Sequence, residues 1–154
     1  MYPVPDYRSI YRIMGRQKKN MDIQELLGKT FTKIEGKKGS EELKFYTDDN
    51  IYRMYHEQDC CECVEVEDIC GDFADLIGTP VVDAFEKTNS EEHPEGFDAE
   101  CRYLDDSFTW TFYTIRTEKG AVTIRWLGSS NGYYSESVTL EIAHKISFAP
   151  NLSN

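Results

Sequence analysis

The sequence predicts an α+β fold: one twisted antiparallel β-sheet, a meander of hairpins, carrying a few short helices. Three observations point there. Apolar and polar residues alternate through the last third of the chain. Gly- and Asn-containing turns separate the alternating runs. Two short stretches each end at a glycine, the first behind a capping Asp.

Met1 to Asn20 is set apart by charge, with Arg8, Arg12, Arg16, Lys18 and Lys19 opposed only by Asp6. Tyr7, Ile10, Tyr11 and Met14 recur at helical spacing, so a short amphipathic helix is expected in this basic segment. Met21 is an alternative start, which would make residues 1–20 an extension. A single α+β domain is expected over residues 21–148, with 149–154 as a C-terminal tail. Asp22 caps a short helix through Leu27, stopped by Gly28. Phe31 to Glu35 reads as a strand, Gly36 to Gly39 as its turn, and Leu43 to Tyr46 as the next strand. Asp48 to Asn50 then turns into Ile51 to His56. Val64 and Val66 mark another short strand. Asp72 to Ile77 reads as a brief helix ending at Gly78, with Pro80 barring its continuation.

Val81 to Phe85 has strand character, and Asn89 to Glu100 is a polar loop with Pro94 and Gly96. Phe108, Trp110 and Phe112 alternate with Thr109, Thr111 and Tyr113. Val122, Ile124 and Trp126 alternate with Thr123 and Arg125 after a turn at Glu118-Lys119-Gly120. Val138, Leu140 and Ile142 follow a turn at Ser129 to Gly132, and Ile146 and Phe148 share their parity. Three such runs joined by short turns are expected to form a meander with one buried face.

Charge is the most uneven property of the chain. Between Glu57 and Asp106 lie 17 of its 28 carboxylates, opposed by Lys87 and Arg102 alone, so this stretch carries 2 − 17 = −15. The whole chain carries −11, which leaves +4 elsewhere. Carboxylates at this density need water, a metal or a basic partner to screen them. Free nucleic acid is not expected as a direct ligand, because its phosphates would meet this face. The 154 residues suffice for one domain with a real core. No apolar run reaches the roughly 20 residues that span a bilayer, and no secretory leader follows the basic start. The cytoplasm is therefore the expected location, where five cysteines argue for metal binding or plain burial before disulfides.

His56, Cys60, Cys61 and Cys63 place four soft ligands within eight positions at a strand end. Zinc takes thiolate and imidazole in a tetrahedron, so a structural zinc is one expectation. Adjacent Cys60 and Cys61 point apart on a regular strand, so both ligate only at a bend or bulge. Burial of the thiols as small hydrophobes, or redox chemistry, are the other readings. Asp59, Glu62 and Cys101 are reserve ligands, and Cys70 is expected to lie inward with Ile69. Ser129 to Glu136 is a hairpin turn by its Asn-Gly pair. Functionally, Arg125, Trp126, Asn131 and Tyr133 form a candidate ligand patch, for instance for a nucleotide second messenger. An enzyme is not expected. Carboxylates around His56 and Cys60 disfavour a thiolate, His93 and His144 have no evident partner, and no Gly-rich phosphate loop occurs.

Met54 to Glu62, Val66 to Asp72, Trp110 to Tyr113 and Arg125 to Glu136 resemble a family of small phage and prophage proteins of unknown function. The likeness runs from about Leu26 to Ile142. Cys63 and Cys70 depart from the family pattern, which leaves the fourth metal ligand open. The chain is also similar to zinc-containing anti-CRISPR proteins acting on type II-A effectors. That resemblance implies inhibition by binding the effector nuclease and blocking guide or target loading. The expectation is a non-enzymatic cytoplasmic inhibitor in a bacterial host, binding a basic nucleic-acid-processing protein. Its contact charge would come from Glu91, Glu92, Glu95, Asp98, Glu100, Asp105 and Asp106. A small-ligand sponge using the Arg125 patch is the alternative.

Overall fold

The computed structural model describes residues 20–99 and 106–145. The expected N-terminal helix, Glu100, Cys101, Asp105, Ile146, Phe148 and the tail lie outside the described residues.

Both capped stretches form, but only as single 3₁₀ turns, Ile23–Leu26 and Phe73–Leu76. Asp22 accepts from the Gln24 N–H at 2.9 Å, and Asp72 from the Ala74 N–H at 2.9 Å. Gly28 and Gly78, at φ +79° and +84°, turn the chain away directly afterwards. Four residues cannot propagate an α-helical ladder. The α+β expectation is therefore corrected to a mainly β fold.

Eight strands follow: β1 (Lys33–Glu35), β2 (Glu42–Tyr46), β3 (Asn50–Tyr55), β4 (Cys63–Cys70), β5 (Val81–Asn89), β6 (Ser107–Thr117), β7 (Gly120–Ser130) and β8 (Thr139–Lys145). They form two antiparallel sheets, ordered β1-β2-β3-β8 and β4-β7-β6-β5, rather than the single sheet expected. The meander holds from β5 through β7 and then breaks. β8 leaves β7 and pairs with β3, setting Tyr55 opposite Thr139 and Met54 opposite Leu140. The physical reason is coverage. A sheet with one apolar face must bury it, and turns of four residues are too small to do so.

The sheets face each other across one core. Leu43, Phe45, Tyr52, Met54 and Leu140 come from the first sheet; Val66, Ala84, Tyr113, Ile115, Val122, Ile124 and Trp126 come from the second. Trp126 spans the interface, its Nε1–H donating to the Met54 sulfur at 3.2 Å. On β6 the core takes Tyr113 and Ile115, opposite Ile124 and Val122. The aromatic set Phe108, Trp110 and Phe112 lies on the outer face instead. Trp110 is nevertheless fully buried, because the chain after β5 folds back over it. Both parities of β6 are thus apolar for separate reasons.

Candidate functional site

Three loops meet at one end of the sandwich. β3 delivers His56, and β4 begins at Cys63 opposite Ser129. Loop 131–138 leaves β7 and returns as β8, beside β3. Ser107, opening β6, lies opposite Ser130. The register of five strands therefore brings segments 56–62 and 131–138 together, although about 70 positions separate them in sequence.

The first loop is wrapped around Glu62, whose side chain is fully buried. Its Oε1 accepts from the Asp59 N–H at 2.6 Å, and its Oε2 from the Cys60 N–H at 3.1 Å. His56 Nε2 lies 2.9 Å from Oε1, and the Gln58 amide donates to the Glu62 carbonyl at 2.6 Å. The Asp59 N–H first, and the His56 ring second, hold the Glu62 carboxyl down to about 2. The other ring nitrogen of His56 is 2.6 Å from the Ser137 carbonyl. His56 thus bridges the Glu62 carboxylate and the Ser137 carbonyl. The ring ties the first loop to the second. Beside it opens a cleft of about 430 Å³ lined by His56, Glu57, Asp59, Ser135, Ser137 and Thr139.

The second loop is wrapped around another buried carboxylate, Glu136. It accepts from the hydroxyls of Ser130 at 2.5 Å, Thr109 at 2.8 Å and Ser107 at 3.3 Å. The Ser130 oxygen accepts from the Gly132 N–H at 3.0 Å, and Asn131 caps the Tyr133 N–H at 3.1 Å. Gly132 turns at φ +93°, but Asn131 has no positive φ and the expected hairpin does not form, since β8 pairs with β3. Gly128 is required for closeness: a Cβ there would stand 2.6 Å from the Glu136 carbonyl oxygen.

The third loop follows β5. Asn89 accepts from the Glu91 and Glu92 N–H groups at 2.9 and 3.1 Å. Ser90 and Thr109 hydroxyls lie 3.0 Å apart, connecting this loop to the Glu136 network. His93 stacks on Phe108 at 4.1 Å and accepts the Trp110 indole N–H at 3.1 Å; Phe97 meets Trp110 edge-on at 5.0 Å. His93, which had no evident partner in the sequence, is thus an anchor. Fastened in this way, the loop leaves Glu91, Glu92, Glu95 and Asp98 exposed, with Asp106 exposed at the start of β6.

Residues 24–140 match the family described as a domain of unknown function, DUF7448. The chain belongs to this family. All three loops fall inside the matched part of the DUF7448 domain. No curated protein and no solved structure matches the chain. Among the described residues, no helix is long and apolar enough to cross a membrane.

The fold divides the carboxylates of this DUF7448 domain by role. Glu62 and Glu136 are buried organisers, Asp72 is a cap, and Asp83 faces Arg116 at 3.7 Å. Asp68 pairs with Arg125 at 2.7 Å; burial raises its carboxyl, but the Cys70 thiol and the Arg125 charge outweigh this and hold it below its ordinary range. Glu57, Asp59, Glu91, Glu92, Glu95, Asp98 and Asp106 remain on the surface of one end. No lysine or arginine occurs in residues 56–63, 89–98 or 129–138.

The four residues singled out for zinc do not compose a tetrahedron as they stand. Both His56 nitrogens are engaged, and the Cys60 and Cys61 sulfurs lie against each other. Cys63 is exposed, as is Cys70, which was expected to lie inward. Among the described residues, no three His, Cys, Asp or Glu side chains form a metal-holding group. The ligand patch is dispersed too. Trp126 is in the core, Arg125 lies on the opposite face of β7 with Asp68, and Asn131 and Tyr133 stand on the exposed turn. Sequence reasoning named Glu62 only as a reserve ligand and gave Glu136 no role, because the backbone geometry around the one and the donors from β6 to the other are set by the fold.

Proposed function

We propose that this DUF7448 domain is a non-enzymatic inhibitor that docks its acidic end onto the cationic nucleic-acid channel of a host protein. A type II CRISPR effector nuclease is the first candidate partner, and blocked nucleic-acid loading is the mode of action. One observation carries the reading: six exposed carboxylates sit on two of three mutually braced loops that contain no lysine or arginine, and a seventh, Asp106, lies just before β6. Like charges near a protein surface repel by about 4 kcal/mol at 4 Å spacing and an effective dielectric near 20. A cationic groove relieves that repulsion, speeds encounter and excludes the phosphates competing for it. Bracing by Glu62, Glu136 and the His93–Trp110 contact reduces the ordering cost on binding.

The test is binding to a purified type II effector nuclease, with and without guide RNA, for the native protein and for Glu91→Lys/Glu92→Lys/Glu95→Lys. The native protein should bind the RNA-free nuclease, lose affinity as salt rises, and compete with guide RNA. The triple variant should melt like the native protein and lose binding by tenfold or more, on the order of 1.4 kcal/mol. Equal binding by the folded variant would exclude the acidic loop as the contact.

A further inference from the structure

The cleft at His56 has a cationic neighbour supplied by the chain itself. Its walls, Glu57 and Asp59 on one loop and Ser135, Ser137 and Thr139 on the other side, include no lysine or arginine. Arg53, the cation on the adjoining strand, is already committed: it stacks on the Tyr55 ring at 3.6 Å and pairs with Glu42 and Glu141. Asn20, the first described residue, is fastened to one wall. Its side-chain oxygen accepts from the Leu140 N–H at 2.9 Å, and its amide donates to the Val138 carbonyl at 3.4 Å. These two bonds straddle Thr139, which lines the cleft. The four residues before Asn20 include Arg16, Lys18 and Lys19.

We propose that residues 16–19 fold back across Thr139 and seat their cationic side chains in this cleft, against Glu57 and Asp59, as an internal cover for the acidic end. The path of the chain favours this side. Between Met21 and Gly28 the backbone passes from β8 to β5: the Met21 N–H donates to the Leu140 carbonyl and the Gly28 N–H to the Val81 carbonyl, both at 2.8 Å. The preceding residues approach from the β8 side, where the cleft lies. The other nearby carboxylates, Asp22 and Glu86, line a separate cleft towards β5. Four residues reach at most about 14 Å, so the Glu57 and Asp59 carboxylates are within range of these long side chains.

Surface ion pairs are individually weak, but tethering compensates. A short linker holds its group at an effective concentration on the order of millimolar. The contact needs no partner protein, yet it covers two of the carboxylates that a cationic partner would meet. Such a partner has to displace the cover first, and salt loosens it.

The experiment couples lysines to carboxylates in the full chain with a water-soluble carbodiimide, after mixing isotope-labelled and unlabelled protein in equal amounts, and maps the joined peptides. Lys18 and Lys19 should join Glu57 or Asp59, in pairs wholly labelled or wholly unlabelled, and high salt should suppress the yield. Arg16→Gln/Lys18→Gln/Lys19→Gln should melt like the native protein. In magnetic resonance spectra it should shift the Ser135 and Ser137 amides towards their native positions at high salt, and salt should move them several-fold less in the variant. Three results would overturn the proposal. Joining to Asp22 or Glu86 in place of Glu57 and Asp59 would put the segment on the β5 side. Mixed labelled and unlabelled pairs would make the occupant a second copy. Ser135 and Ser137 amides indifferent to the triple variant would leave the cleft uncovered.

Discussion

Replacing Glu136 by leucine tests whether one buried carboxylate fastens the loop between β7 and β8. The native carboxylate accepts hydroxyl donors at 2.5, 2.8 and 3.3 Å. Hydrogen bonds to a charged group contribute about 1.5–3 kcal/mol each, but their simple sum overstates the loss. Ser130 can turn to the Tyr134 carbonyl at 3.3 Å, and Thr109 already lies 3.0 Å from the Ser90 hydroxyl. Ser107 makes the longest contact and loses least. The net cost should be about 2–3 kcal/mol. At about 2–4 °C per kcal/mol for a domain of this size, the melting temperature should fall by roughly 4–12 °C. Glu136→Gln keeps one acceptor oxygen and loses the charge assistance, so it should cost about 1 kcal/mol. Thermal denaturation followed by circular dichroism at neutral pH measures both. A leucine variant that melts with the native protein, or a glutamine variant no better than leucine, would show that the hydroxyl network does not hold the loop.

Glu62 should leave its mark on acid stability. Its carboxyl is held at about 2 in the folded protein, below the ordinary 4.5, so its stabilisation is complete above about 4.5 and is lost as pH falls through about 2. The stability gap between native protein and Glu62→Gln, measured by denaturant titration at stepped pH, should be flat above pH 5 and shrink below it. Gly128→Ala should cost about 1–3 kcal/mol by calorimetry, because its Cβ meets a backbone oxygen of Glu136 that moves only with the loop. Trp110→Phe removes the donor to His93 and should cost about 1–2 kcal/mol. Limited proteolysis should then cut residues 91–97 sooner than in the native protein.

Local signals in the sequence were read well. Asp22 caps as expected, Gly28 and Gly78 follow the two short turns as expected, and Val122, Ile124 and Trp126 face the core as their alternation implies. Signals that depend on remote partners were not readable. Ile142 keeps the parity and register of Leu140, opposite Tyr52, yet is more than a third exposed. Phe108 and Phe112 suggested a core face, but what covers that face is His93 and Phe97, from a loop whose composition reads only as polar. The candidate site was legible as two motifs and a charge run. That they share one end of the molecule follows from strand order, which alternation cannot specify.

The crossover of β8 carries a consequence for how the protein is made. β3 has one neighbour in β2, but its second neighbour is synthesised some eighty residues later. Until then, Tyr52 and Met54 belong to a three-stranded half-sheet with an open flank. Pairings of such long sequence separation are slow to form, on a scale of milliseconds to seconds. A nascent chain stalled before Thr139 would therefore present an unpaired strand, an invitation to aggregate that a chaperone would have to cover.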